Sequence, residues 1–231
     1  MKDLHHPPEA PGLAEAARRL PKVLLHEHLD GALRVATLAE LMHQRGLPSP
    51  APDVPALAAW FDARAHAGSL VEYLKGFDLT VAAMASPEAL ARVAFETAED
   101  ARANGCVLAE FRIAPLLFEA HGLSGDEVVQ ALLDGLARSA LPSGLIVCAM
   151  RQLPVDQTRR AAELALRWQG RGGAGGVVAF DLAGPEKGFP PTAHDAALAM
   201  CREAGLPLTL HAGEADEAER VVEAGRLGAR R

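Results

Sequence analysis

Short apolar segments alternate with longer segments of helical periodicity along most of the chain. Most of the short segments are largely apolar, as in parallel strands that are buried on both faces, whereas the first, 22–28, is apolar only over Val23–Leu25 and ends in polar residues. In the longer segments apolar residues recur every three or four positions, which is the spacing of one helix face. The predicted strands are 22–28, 106–114, 145–150, 177–182 and 206–211. This alternation predicts βα units and a parallel sheet.

Capping residues and helix breakers set the bounds of the predicted helices. Ser86-Pro87 offers an N-cap followed by proline at the first helical position. Ser124-Gly-Asp-Glu127 is a capping box, and Asn104-Gly105 is typical of a helix end. Four prolines between 47 and 56 predict an irregular loop. The predicted helices are 13–20, 34–45, 69–84, 86–104, 124–139, 156–168, 193–204 and 215–225.

Composition is that of an ordinary soluble globular protein. The 231 residues, 49% of them hydrophobic, suffice for one domain with a substantial core. No linker or repeat divides the chain, so we predict a single domain over 1–231, with residues 1–20 as an N-terminal lead. The net charge of −7 argues against a general binder of nucleic acids or anionic membranes. Three widely spaced cysteines without a Cys-x-x-Cys motif predict reduced, buried thiols and a cytoplasmic location.

Polar side chains gather at the carboxyl ends of the predicted strands. His26 and His28 lie two residues apart at the end of the first strand, so their side chains share one face. The fifth strand ends at His211, and Glu214 follows three residues later. Strand ends converge on one face of a βα barrel, whereas they are spread along a line in an open doubly wound sheet. Since a barrel brings three histidines together more easily, we favour an α/β fold of the (βα)8 barrel type.

Three histidines beside a carboxylate suit a catalytic zinc ion with one open coordination position. Glu214 would lie close to such a metal without binding it, and could move protons. Two simpler interpretations stay open: an acid that favours the dipole of the following helix, and a first strand that merely ends in a polar turn. Glu27 alternates to the opposite face and is predicted to be structural. We expect the other histidines to face solvent: His5, His6, His43, His66, His121 and His194.

Four segments together resemble the adenosine deaminase family of metal-dependent amidohydrolases. They occur in the family's order, and the similarity extends over nearly the whole chain from about Leu20. The segments are Leu25-His-Glu-His-Leu-Asp-Gly31, Ala109-Glu-Phe-Arg-Ile-Ala-Pro115, Phe180-Asp-Leu-Ala-Gly-Pro-Glu186 and His211-Ala-Gly-Glu214. The resemblance implies a (βα)8 TIM-type barrel that hydrolyses the 6-amino group of adenosine to give inosine and ammonia.

The resemblance also implies roles for individual residues. His26, His28 and His211 would bind one zinc ion per chain, and Glu214 would protonate purine N1. Asp30 would hold the ribose 5′-hydroxyl, and the backbone at Gly184 would contact the purine. Aspartate at position 30 is more typical of nucleoside deaminases than of adenine or aminofutalosine deaminases. The apolar pocket and lid would come from Leu70, Tyr73, Leu74, Phe77 and Met150.

The sequence departs from the family pattern at its end. Family members continue with a strand carrying Ile-Gly-His-Gly, whose histidine orients the attacking hydroxide, and with a later Asp-Asp pair that binds zinc and purine. This sequence ends at Leu227-Gly-Ala-Arg-Arg231, where the sixth strand would begin. We therefore expect about the first five βα units and an incomplete site. An unclosed sheet leaves two unpaired edges, which favour oligomers or aggregates.

Three functions are compatible with these patterns. The first is zinc-dependent deamination of adenosine or deoxyadenosine in purine salvage, with a purine nucleoside as the small-molecule partner and no nucleic acid or membrane partner. The second is a related deamination of adenine or an aminofutalosine-type nucleoside. The third is a non-catalytic remnant of the fold that binds metal or nucleoside.

Overall fold

The computed structural model describes residues 12–66, 68–172 and 175–231. Within them, five parallel strands form one sheet in sequential order. The order confirms an α/β fold wound in one direction, in which each strand pairs with the next along the chain. The strands are β1 Lys22–His28, β2 Cys106–Ile113, β3 Ser143–Met150, β4 Val177–Ala183 and β5 Leu208–Leu210.

Helices connect the strands, and most of them begin and end near the predicted positions. The caps account for this agreement, since Ser86 accepts from the N–H of Ala89 and Ser124 forms a capping box with Glu127. Two 3₁₀ segments, Pro115–His121 and Pro191–His194, were not predicted. The helices are α1 Leu13–Arg19, α2 Val35–Gln44, α3 Val54–Ala65, α4 Leu70–Met84, α5 Pro87–Ala103, α6 Gly125–Leu136, α7 Val155–Trp168, α8 Asp195–Glu203 and α9 Glu219–Arg226.

The loop predicted over 47–56 was wrong at its end, because helix α3 already begins at Val54. Asp53 caps this helix by accepting from the N–H of Ala56 at 2.8 Å. Pro55 lies in the first turn of the helix, where backbone N–H groups have no acceptor within the helix. The N–H that proline lacks is therefore not needed there. The helix itself was missed because its apolar positions form no clear face, and only Leu57 is fully buried.

The sheet is curled, as contacts between distant strands show. Beyond α9, Ala229 pairs in parallel with Leu208 of β5, and the N–H of Leu210 donates to the carbonyl of Arg231 at 3.0 Å. The guanidinium of Arg231 in turn contacts the Glu110 carboxylate of β2. The segment 229–231 lies beside β5, four strand spacings away from β2. In a flat sheet this separation would be roughly 19 Å. The contact therefore requires the sheet to bend round as part of a barrel wall, as predicted.

The core lies between the sheet and the surrounding helices. Phe111 and Phe180 on the strands are fully buried, as are Leu132 and Leu133 on α6. The same core extends to α2 and α4, whose residues Leu38, Met42 and Met84 are buried. In the part of the chain that is described, no helix combines the length and apolar character needed to cross a membrane. The three cysteines are free and buried, as predicted.

Candidate metal and active site

Three imidazole nitrogens converge at the carboxyl ends of β1 and β5. His26 and His28 end β1, and His211 follows β5 directly. Nε2 of His26 and Nε2 of His28 each lie 3.1 Å from Nε2 of His211. In a flat sheet, β1 and β5 would stand roughly 19 Å apart, so the curl of the sheet creates this cluster. The structure thus brings together the three histidines that the sequence singled out as metal ligands.

The spacing of these nitrogens fits a tetrahedral zinc ion. Zinc–nitrogen distances of about 2.0–2.1 Å place two ligand atoms about 3.3 Å apart, close to the observed 3.1 Å. Burial, followed by the charge of Arg112, lowers the pKa of His26 to about 4. Burial also lowers the pKa of His28 to about 3, with His211 as the next cause. Both rings are therefore neutral near pH 7, which is the form that binds metals.

A buried carboxylate orients the third ring. Nδ1 of His211 lies 3.0 Å and 3.2 Å from the two carboxylate oxygens of Asp181, to which it donates. Asp181 also forms an ion pair with Nη1 of Arg112 at 2.7 Å, and Arg112 donates to the carbonyl of Leu25 at 3.0 Å. Although burial opposes ionisation, His211 and Arg112 together hold the pKa of Asp181 well below its usual range. With its proton on Nδ1, His211 directs a lone pair from Nε2 towards the cluster.

The roles of Asp181 and Arg112 were missed in the sequence. Each is a charged residue in an apolar strand, and both are almost completely buried. A charge in such a strand needs a partner, which is the signal that could have identified them as a pair. Their separation of 69 positions in the chain hides the partner until the strand order is known.

The histidines open onto a cavity of about 850 Å³. This volume lies within the range of small-molecule sites, which is roughly 300–1,000 Å³. Glu214, Asp30 and Gly184 all line it, so the predicted site residues share one cavity. The apolar residues predicted for the pocket are also present in its wall: Leu70, Tyr73, Leu74, Phe77 and Met150.

Asp30 and Gly184 have local features that bear on ligand binding. Asp30 is 5% exposed, and its Oδ1 has no hydrogen-bond partner among the described residues. Burial raises the pKa of Asp30 to about 7. Gly184 has a φ of 96°, and a Cβ there would lie 2.3 Å from Oε1 of Gln152. The positive φ therefore favours glycine at this point of the cavity wall.

The prediction that His194 faces solvent was wrong. His194 is buried, because its ring lies between Thr158 and the carbonyl of Arg151, at 2.8 Å and 3.1 Å. This contact supports Arg151, whose guanidinium donates to the carbonyl of His211 at 2.5 Å. Glu27 lines the same cavity as His26 and His28, and burial raises its pKa.

The other histidines follow the prediction where they can be compared. The side chains that are exposed to solvent are His43, His66 and His121, although the last of them also borders the cavity. His5 and His6 lie outside the described residues.

Sequence comparison finds close relatives along nearly the whole chain. The family model described as "Adenosine deaminase" matches residues 21–231. The adenosine deaminase of Mycobacterium avium is 45% identical over 235 residues, which cover 95% of this chain and 63% of that protein. The chain thus spans less than two thirds of the length of this curated relative.

Solved structures with the same fold include deaminases and amidohydrolases. An amidohydrolase from Burkholderia ambifaria with bound zinc superposes with a TM-score of 0.83 and is 25% identical. That match covers 99% of this chain and 62% of the other. The Arabidopsis N6-mAMP deaminase superposes with a TM-score of 0.78 at 25% identity, covering 94% of this chain and 66% of the other.

Proposed function

Because the chain belongs to the adenosine deaminase family, we propose that its site serves the hydrolytic deamination of adenosine and deoxyadenosine to the inosine product and ammonia. The observation that carries the proposal is the convergence of three imidazole nitrogens within 4.8 Å of one another on a cavity large enough for a small molecule. Glu214 lies on the wall of the same cavity.

His26, His28 and His211 are the residues that would hold a zinc ion. Their neutral rings, their spacing and the Asp181 contact to His211 support this assignment. The bound zinc of the Burkholderia amidohydrolase supports the choice of metal. When bound, zinc supplies Lewis-acid activation of a water molecule near neutral pH.

Glu214 is proposed to transfer protons to and from the substrate. It follows His211 by three residues and lines the same cavity, and it does not belong to the histidine cluster. A proton delivered to purine N1 makes C6 more electrophilic, and the same group can later assist departure of the amine.

Asp30 and Gly184 are proposed to recognise the nucleoside. The unpartnered Oδ1 of Asp30 needs a donor, and the 5′-hydroxyl of a nucleoside supplies one. At Gly184 the missing side chain allows a flat purine to approach the backbone. Where it is ionised, Asp30 would repel a 5′-phosphate, which favours nucleosides over nucleotides.

The proposal is tested by loading the purified protein with zinc and following the conversion of adenosine to inosine. Adenine, an aminofutalosine-type nucleoside and adenosine 5′-monophosphate are assayed in parallel. We expect adenosine and deoxyadenosine to have the highest kcat/KM. A higher kcat/KM for any of the other three compounds would contradict the assignment of adenosine as substrate. Zinc binding without any turnover would support a non-catalytic role instead.

A further inference from the structure

One buried carboxylate holds the segment that carries Glu214. Glu186 is only 3% exposed, and its side chain accepts hydrogen bonds from four consecutive backbone N–H groups. The N–H of Gly213 donates to Oε1 at 2.5 Å. The N–H groups of Glu214, Ala215 and Asp216 donate to Oε2 at 2.9, 2.8 and 3.2 Å.

This arrangement replaces regular secondary structure in the segment. Strand β5 ends at Leu210 and α9 begins at Glu219, so residues 211–218 belong to neither. Backbone N–H groups outside regular secondary structure need other acceptors, and consecutive N–H groups that turn inwards form a concave site for an anion. Here the anion is supplied by the chain itself. It also explains why the last helix begins later than the predicted residue 215.

The contact links the loops that follow β4 and β5. Glu186 lies two residues beyond Gly184 in the cavity wall, and its own carbonyl accepts from the N–H of Phe189 at 3.1 Å. Arg151 holds the start of the β5 loop through the carbonyl of His211. The backbone of Glu214 is therefore held from one side by β5 and from the other by Glu186.

We propose that Glu186 is a positioning residue that fixes the backbone of Glu214, so that the Glu214 carboxyl group reaches the substrate nitrogen it protonates. The proposal rests on the proposed function, in which Glu214 transfers that proton. Glu186 itself touches neither the histidine cluster nor the substrate in this scheme. It acts through four hydrogen bonds to the loop.

The first test replaces Glu186 by glutamine, which keeps the shape but turns one acceptor oxygen into an NH₂ group. Misplacement by about 1 Å can cost on the order of 100-fold in rate. We expect Glu186→Gln to lower kcat by about 10–100-fold, to change KM by less than about threefold, and to leave the zinc content unchanged. The matched control is Glu127→Gln at the start of α6, where the carboxylate also accepts a backbone N–H, from Ser124 at 2.8 Å. The control should retain its kcat.

A double-mutant cycle separates positioning of Glu214 from a general structural effect. If Glu186 acts through Glu214, adding Glu186→Gln to Glu214→Gln should lower kcat no further. An equal loss in both backgrounds would overturn the proposal. A fall in kcat that disappears when the variant is stabilised by lower temperature would also overturn it.

Amide hydrogen exchange gives a readout that does not depend on turnover. In the zinc-loaded protein, we expect the amides of residues 213–216 to exchange at least about tenfold faster in Glu186→Gln and at the original rate in Glu127→Gln. Unchanged exchange at these four amides would overturn the inference. A wild-type protein without turnover would contradict the proposed function alone, since exchange would still report whether Glu186 holds the loop.

If the glutamine variant does not fold, Glu186→Asp is used, which retains the charge but withdraws it by one methylene group. The same changes are expected from it.

Discussion

Nδ1 of His211 and the buried carboxylate of Asp181 are 3.0 Å apart, and this contact determines which nitrogen of the ring faces the other two histidines. Nδ1 carries the proton and donates a hydrogen bond to Asp181, so Nε2 keeps its lone pair. Carboxylates in this position orient metal-binding histidines and raise their basicity. Asp181 is in turn neutralised by Arg112, which also reaches the carbonyl of Leu25 on β1. One ion pair thus connects β4 and β2 to the strand that carries the other two histidines.

We expect Asp181→Asn to weaken zinc binding by about 10–100-fold, because an amide orients His211 but no longer supplies the negative charge. The dissociation constant is measured by competition with a chromophoric chelator. The exposed Asp134 on α6, replaced in the same way, serves as the control. An unchanged zinc affinity would show that Asp181 does not contribute to zinc binding.

The same substitution should reduce stability, since Arg112 would remain buried without its partner. Removing one member of a buried ion pair typically costs about 3–5 kcal/mol. Urea unfolding of the metal-free protein isolates this effect from zinc binding. A free energy of unfolding within about 0.5 kcal/mol of wild type would show that Arg112 finds another partner.

Zinc should raise the stability of the folded protein through the three histidines. At a free concentration 100 times its dissociation constant, a ligand of the native state adds about 2.7 kcal/mol. We expect His28→Ala to abolish most of this gain, and the exposed His43→Ala to retain it. The melting temperature with and without zinc is the measurement. An equal gain in both variants would place the metal elsewhere.

Glu214→Gln should remove most of the turnover while leaving zinc in place. General acid–base assistance is worth roughly 10²–10⁴-fold in rate, and glutamine cannot transfer the proton. Steady-state kinetics and elemental analysis are carried out on the same preparation. Glu217→Gln, three residues along on the same exposed segment, is the control. Loss of zinc together with activity would instead identify Glu214 as a metal ligand or a structural residue.

Asp30→Ala should impair adenosine more than 5′-deoxyadenosine. A hydrogen bond to a charged group is worth about 1.5–3 kcal/mol, so the kinetics are measured above the Asp30 pKa of about 7, and the analogue lacks the hydroxyl that would make this bond. The ratio of kcat/KM for the two substrates should therefore fall by roughly 10–150-fold. An equal loss on both substrates would leave Asp30 as a turn residue next to Gly31.

The sequence predicted the strands and most helix ends because their causes are local. Buried parallel strands are continuous apolar runs, and caps such as Ser124 with Glu127 mark helix starts without reference to the rest of the fold. The histidine cluster could also be predicted, since strand ends of a barrel meet on one face.

The remaining parts depend on contacts between distant segments. The partner of Asp181 is set by strand order, and the acceptor role of Glu186 by the way the loop after β5 folds back over the loop after β4. The burial of His194 follows from the packing of the 3₁₀ segment Pro191–His194 against α7, and nothing in its sequence neighbours indicates it. Residue type alone could not distinguish these side chains from solvent-exposed ones.

The last prediction concerns association of the 231-residue polypeptide through β1 and β2. Val23 and Val107 are 53% and 54% exposed on these strands, and among the described strands β1 pairs only with β2. Exposed apolar side chains beside an unpaired strand edge favour pairing with a second molecule. We expect light scattering after size-exclusion chromatography to show dimers or larger species whose fraction grows with concentration.

Val23→Lys with Val107→Lys should shift the population towards monomer, because edge lysines oppose strand pairing. Val222→Lys on α9, which is equally exposed at 54% but helical, should not have this effect. A monomer at all concentrations, or an equal response to the helical control, would show that β1 and β2 are not the contact surface.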